Sequence, residues 1–128
     1  MTTTEIGRLG ERIAEKYLKQ CGYKILERNK HQSHNEIDLI AGNKEYILFV
    51  EVKTRSASLA NNLYLPYGTP AAAVDRKKQQ RTVRAAQAYL LANGSKGKQP
   101  RMDVIEVYLD KSTGKPLKIN HITDAFGA

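Results

Sequence analysis

The sequence predicts a three-layer α/β/α sandwich, a single domain with one mixed sheet and a helix packed on each face. Three observations carry this. The chain has 128 residues, which suits one domain of about 100–150 residues. Its periodic segments follow the order α-β-β-β-α-β-β. Residues 45–53 are apolar on both faces until Glu51, the pattern of a central strand covered from both sides. A strand, a long helix and another strand normally make a right-handed crossover between parallel strands.

The first element is a helix over residues 5–21. Ile6, Leu9, Ile13, Tyr17 and Cys21 recur at three- and four-residue steps, and Ala14 and Leu18 widen the stripe. Thr4 suits the N-cap and Gly22 the C-terminal cap. Arg8, Arg12, Lys16 and Lys19 lie on the far side, and Glu11 falls at the border of the apolar stripe. A short strand follows over Tyr23–Arg28, then a second over Glu36–Ala41, closed by the turn signal Gly42-Asn43. The third and strongest strand runs from Glu45 to Lys53. The brief connection Gly42-Asn43-Lys44 makes the second and third an antiparallel hairpin.

Residues 55–69 carry no periodicity, only Ser56, Ser58, Asn61, Asn62, Pro66 and Gly68 with Tyr64 and Tyr67 among them. A connection of this length in a compact domain is expected to be a flexible loop, whether a lid, a binding loop or simply a disordered segment. A long helix over 70–93 starts at Pro70, which suits a first turn. Val74, Val83, Ala86 and Leu90 mark its apolar face, with Tyr89 beside them, and Lys77, Arg81 and Arg84 share another face. Strands over 102–109 and 117–122 complete the sheet.

The formal net charge is +8, and residues 70–101 hold eight basic side chains against one acidic, while residues 31–69 are mildly acidic. A concentrated basic block beside carboxylates fits an anionic partner, although such a block also arises as a solvated face. No run of about 18 apolar residues exists, so no transmembrane helix is expected. The first residues show no basic and apolar pattern, so no signal peptide is expected. The lone Cys21 allows no internal disulfide and fits a cytoplasmic setting.

Three charged residues interrupt apolar strands. Glu51 and Lys53, two apart, share a strand face, and Asp38 sits in the neighbouring strand among Ile37, Leu39 and Ile40. Burying one carboxylate without a partner costs several kcal/mol, and two side by side repel further. A divalent cation resolves both problems, and carboxylate oxygens suit Mg²⁺ or Mn²⁺. A metal-free salt bridge among Asp38, Glu51 and Lys53 resolves them as well. The other reactive types point elsewhere: His31 and His34 lie in a turn, His121 is remote in sequence, Cys21 reads as packing, Ser56 and Ser58 lack a nucleophile context, and Asp103 reads as a cap at a strand start. Tyr64 and Tyr67 fit either base stacking or loop anchoring.

The segments Asn35-Glu36-Ile37-Asp38-Leu39-Ile40-Ala41 and Phe49-Val50-Glu51-Val52-Lys53-Thr54-Arg55 resemble the YraN family of small bacterial proteins predicted to be endonucleases. Gly10-Glu11, Ala14 and Tyr17-Leu18 in the first helix, Met102-Asp103-Val104, and Ile122 to Phe126 extend the resemblance over most of the chain. Asn35 departs from the glycine usual there, and both residues suit a turn. That family is similar to the PD-(D/E)XK nucleases, particularly archaeal Holliday junction resolvases. The resemblance implies a restriction-endonuclease-like fold and a metal-dependent nuclease acting on DNA, on branched or single-stranded structure. It implies that Asp38, Glu51 and the Val52 carbonyl bind Mg²⁺ or Mn²⁺, that Glu11 acts on the metal or its waters, and that Lys53 orients the attacking water. Arg55 with Arg76, Lys77, Lys78, Arg81 and Arg84 would contact the nucleic acid backbone, and cutting two strands would favour a homodimer. The alternative is a module that binds nucleic acid without cutting, or an interaction subunit of a DNA-processing complex.

Overall fold

The computed structural model describes residues 2–32, 35–57 and 76–126. Seven elements follow in chain order: α1 (Thr3–Gln20), β1 (Lys24–Gln32), β2 (Asn35–Gly42), β3 (Tyr46–Ala57), α2 (Arg76–Asn93), β4 (Gln99–Asp110) and β5 (Pro116–Ile122). The five strands form one sheet in the order β1-β2-β3-β4-β5. Three neighbouring pairs are antiparallel, and β3–β4, which α2 connects, is parallel. The expected mixed sheet and element order are therefore present.

The helices take opposite faces. Ala85, Ala86 and Tyr89 of α2 pack with Ile47, Phe49, Met102 and Val104. Ala14 and Leu18 of α1 pack with Leu48, Val50, Val52, Ile105 and Val107. Alternation along β3 thus sends odd positions to α2 and even ones to α1, so Glu51 and Lys53 stand on the α2 face.

Several boundaries differ from the sequence reading. The α1 N-cap is Thr2, whose Oγ1 accepts from the Glu5 N–H at 3.1 Å while the Thr2 N–H donates to Glu5 Oε1 at 3.0 Å. This capping box is worth more than a lone Thr4 cap because it satisfies two orphan donors. Gly22 takes φ +94° after the helix, and the Tyr23 N–H donates to the Leu18 carbonyl, a glycine-dependent stop. Cys21 is exposed at the C-cap, outside the core stripe expected for it. The first strand is longer than Tyr23–Arg28 because pairing with β2 continues to Gln32↔Asn35. Residues 55–57 belong to β3, held by the parallel ladder through Ala57↔Asp110, and so are not loop. The rest of the expected 55–69 loop, with Tyr64 and Tyr67, lies outside the described residues, as do residues 70–75 and His34. Among the described residues no helix is long and apolar enough to cross a membrane.

The centre of the buried stripe of α1 is Gly10, Ala14 and Leu18, with Ile6, Leu9, Ile13 and Tyr17 on its flanks. A Cβ at Gly10 would stand 1.9 Å from Thr54 Oγ1 and 2.9 Å from Thr54 Cβ. Only glycine lets α1 lie this close to β3, and that approach brings the next residue, Glu11, to the sheet. Gly10→Ala is therefore expected to cost about 1–3 kcal/mol in chemical denaturation, and Thr54→Ala should recover part of the loss. An unchanged denaturation midpoint for the single variant would contradict this packing.

Candidate active site

The site forms where β2 leaves β3. The hairpin ladder runs from Gly42↔Ile47 to Leu39↔Val50 and stops there, one step before Asp38 would face Glu51. The alternation of β2 slips at the same point. Ile37 and Ile40 pack on the α2 side while Leu39 and Ala41 pack on the α1 side, although Ile37 and Leu39 are two apart. On the outer side the β1 ladder passes from Arg28↔Leu39 to Lys30↔Ile37, and Asn29 between them has φ +48°. The two strands therefore splay. Asp38 Oδ2 accepts the Val52 N–H at 2.9 Å, so a side chain takes the place of a ladder carbonyl.

Asp38 and Glu51 converge electrostatically at this split. Burial, and then the charge of Glu51, push the Asp38 carboxyl up to about 8, with Glu11 adding to the rise and the Val52 N–H and Lys78 opposing it. Glu51 is only 3% exposed. Its Oε1 lies 2.5 Å from Lys78 Nζ and 3.8 Å from Lys53 Nζ. Glu11, half-buried on α1, is raised by burial and by the charges of Glu36 and Glu51, against a hydrogen bond from Asn29. These interactions join Glu11, Asp38, Glu51 and Lys53 in one electrostatic unit. Among the described residues no three His, Cys, Asp or Glu side chains stand together at metal-ligand spacing. A buried and a partly buried carboxylate in mutual repulsion, with hard oxygen donors, are still a donor set that fits Mg²⁺ or Mn²⁺.

The basic helix separates into two populations. Arg76, Lys77, Arg81 and Arg84 lie at the outer surface, so the row read from the sequence does face outward. Lys78 falls on the other stripe, in line with the buried Thr82, Ala85 and Tyr89, and reaches Glu51. That stripe reads Lys-Thr-Ala-Tyr, too weakly apolar for periodicity to reveal. Of the apolar face expected at Val74, Val83, Ala86 and Leu90, Ala86 lies in the core together with Tyr89, Val83 and Leu90 form its partly buried border, and Val74 lies outside the described residues. Arg55 is drawn back to the buried Glu106, Nε to Oε2 at 3.4 Å, and Tyr108 donates to Glu106 Oε1 at 2.7 Å. A second basic wall escapes the sequence reading. Arg8, Arg12 and Arg28 line a cleft with Glu11, Glu15 and Asn29, where Arg28 is paired with Glu15. Its signal is the net charge of +3 over residues 1–30, but helix periodicity alone assigns Arg8 and Arg12 to a solvated face.

Asp103 is no cap at a strand start. It lies inside β4, fully buried, and accepts from Arg101 Nε at 2.9 Å, Arg101 Nη2 at 2.8 Å and the Asp124 N–H at 3.0 Å. His121 Nε2 stands 2.7 Å from Asp103 Oδ2, and Tyr17 Oη stands 2.9 Å from His121 Nδ1. The network ties α1, β4 and β5 together on the α1 face, away from Glu51. His31 contributes only a 3.8 Å approach to Glu36.

Comparisons with known proteins agree with the motif resemblance. The model of the uncharacterised protein family UPF0102 matches residues 10–107. A UPF0102 protein of Caldanaerobacter subterraneus subsp. tengcongensis is 47% identical over 94% of this chain and 93% of its own. One of Alkaliphilus oremlandii is 45% identical over 95% of this chain and 97% of its own, and one of Chloroherpeton thalassium is 43% identical over 87% and 81%. The family match spans Gly10-Glu11, Asp38, Glu51, Lys53 and Lys78 together, and the chain belongs to the UPF0102 family.

Proposed function

We propose that this protein is a divalent-metal-dependent endonuclease that hydrolyses phosphodiester bonds in DNA, with branched or single-stranded structures as its substrates. The observation that carries the reading is the meeting of Asp38 and Glu51 at the splayed end of β2 and β3, where burial and repulsion push Asp38 up to about 8. A divalent cation held between the two carboxylates would relieve both the burial and the repulsion. Asp38, Glu51 and the Val52 carbonyl would hold Mg²⁺ or Mn²⁺, and Glu11 would bind a water of the ion. The metal, when bound, polarises the phosphoryl oxygen and lowers the pKa of a bound water. Lys53 orients that water and offsets charge on the phosphate. The outward Arg76, Lys77, Arg81 and Arg84 bind backbone phosphates, which positions a duplex without reading its bases. Cutting both strands of a junction requires two sites, hence a homodimer.

The Lys78–Glu51 ion pair favours a second reading, because it satisfies the buried carboxylate without a metal. On that reading the protein binds nucleic acid, or joins a DNA-processing complex, without cutting. A panel of branched, flapped, single-stranded and duplex DNA with Mg²⁺ and Mn²⁺ separates the two. The nuclease reading expects cleavage by the wild type that chelator and Glu51→Gln both abolish. Intact DNA in every lane, with binding retained, would leave the binding module.

The basic face of α2 has its own test. Reversing Lys77 and Arg81 to Glu is expected to weaken binding to all sequences alike. The log–log salt slope should flatten by about 0.7–0.9 for each phosphate no longer neutralised. A double variant with wild-type affinity and slope would show that the face is only solvated.

A further inference from the structure

Lys78 stands apart from the other cations of α2. It belongs to the sheet-facing stripe with Thr82, Ala85 and Tyr89, so it does not serve the outward phosphate-binding row directly. Its ammonium lies 2.5 Å from Glu51 Oε1, the same oxygen that Lys53 approaches at 3.8 Å. A divalent ion bound to this oxygen would stand beside the Lys78 ammonium, and like charges at that range repel strongly in a partly buried setting. One partner must yield. Glu51 is 3% exposed at its side chain and fixed in β3, whereas the Lys78 side chain is 38% exposed on a flexible four-carbon stem. The lysine is therefore the part that can leave. Beside it along α2, the exposed Lys77 and Arg81 form a basic surface.

We propose that Lys78 is a tethered exchange cation: it neutralises Glu51 until a divalent ion takes the carboxylate, and its ammonium then passes to a phosphodiester of the bound nucleic acid. The inference rests on the metal-dependent reading of the site. Each ligand relieves the other's cost. The metal releases Lys78 to the phosphate, and the phosphate draws Lys78 from Glu51. Metal and nucleic acid then bind cooperatively, and linkage makes the effect reciprocal. Lys78 is a positioning residue in this scheme, acting through Glu51, and Lys53 remains beside the reacting groups.

The test is the affinity of the full chain for Mn²⁺, read from its electron paramagnetic resonance signal, with and without a saturating single-stranded phosphorothioate oligonucleotide. In the wild type the oligonucleotide is expected to tighten Mn²⁺ about tenfold, within the usual span of coupling between sites. In Lys78→Met, Mn²⁺ alone should bind about tenfold tighter than to the wild type, and the further gain from the oligonucleotide should shrink to about twofold. Lys78→Gln, neutral but still able to bond Glu51, should behave as Lys78→Met does, so the result does not depend on one variant's folding. Lys111→Met in the β4–β5 turn should keep the wild-type coupling. Tighter Mn²⁺ with undiminished coupling overturns the exchange, since Lys78 would then be only a charged neighbour. Unchanged or weaker Mn²⁺ binding in both Lys78 variants overturns it too. Absence of Mn²⁺ binding to wild type and variants alike overturns the metal site itself, and the exchange with it.

Discussion

Replacing Asp103 by alanine is expected to remove about 3–5 kcal/mol of unfolding free energy, the range for breaking a buried ion pair from one side. Asp103 is fully buried in β4. Its loss would leave the Arg101 guanidinium, held 4.7 Å over the Tyr46 ring and 3.0 Å from Tyr23 Oη, without its counterion. It would also strip the Asp124 N–H and His121 of their acceptor. The pH dependence has a definite sign. Burial alone would raise the carboxyl, but His121, Arg101 and the Asp124 N–H outweigh it and hold it below its ordinary value of 3.8. A depressed carboxyl stabilises fully above its unfolded value and loses that contribution as pH falls through the folded one. Wild-type stability should therefore drop below about pH 4, and the acid limb of Asp103→Ala should be flatter. Urea midpoints between about pH 2.5 and 6 measure both effects. A loss under about 1 kcal/mol at neutral pH would show that the cluster is not the pin joining α1, β4 and β5.

The fold is legible in the sequence because its signals are periodic. The doubly apolar run Tyr46–Val50 suits a central strand, and a long helix after it returns a parallel one. Ends are less legible because tertiary pairing sets them. Thr54 to Ala57 lack the strand pattern by composition, yet the ladder to Val107–Asp110 holds them as strand. Asp38, Glu51 and Lys53 stand out because charge inside an apolar strand opposes folding. Their geometry does not follow from register alone. The ladder that would set Asp38 opposite Glu51 stops one step short, with the Asp38 side chain bonded to the Val52 amide, and no sequence rule for hairpins announces such a break. Lys78 is hidden for another reason. Five cations crowd the nine residues from Arg76 to Arg84. Helical phase decides which one turns inward, and the small residues Thr82 and Ala85 mark that phase only faintly. Asp103 reads as a cap only while the strand is taken to start at Met102. In fact β4 begins at Gln99, which puts the aspartate in the interior.

Asp38→Asn is expected to abolish metal-dependent cleavage and, in the absence of divalent ions, to make the protein more stable. Asparagine keeps an oxygen that can accept the Val52 N–H now bonded at 2.9 Å, but it carries no charge against Glu51. In the wild type, burial and Glu51 move this carboxyl from 3.8 up to about 8. A raised carboxyl has the opposite sign to Asp103. Its favourable contribution is complete below the unfolded value and is lost as pH rises through the folded one. The stability gap between variant and wild type should therefore open from about pH 4 and level off above about pH 8. A shift of one pKa unit corresponds to about 1.4 kcal/mol, and water and local relaxation at the splayed strands reduce the nominal total, so a gap of about 1–3 kcal/mol is expected at about pH 8. On the proposed metal-dependent reading, saturating Mg²⁺ should reverse the order, because an ion bound only by the folded wild type would add stability by mass action and the variant would lack a ligand. Thermal melts of both proteins across pH, with and without Mg²⁺, give the curves needed. A variant less stable than the wild type at pH 8 without metal would show that Asp38 is compensated within the fold. A wild type indifferent to Mg²⁺ would remove the reason for keeping so costly a carboxylate there.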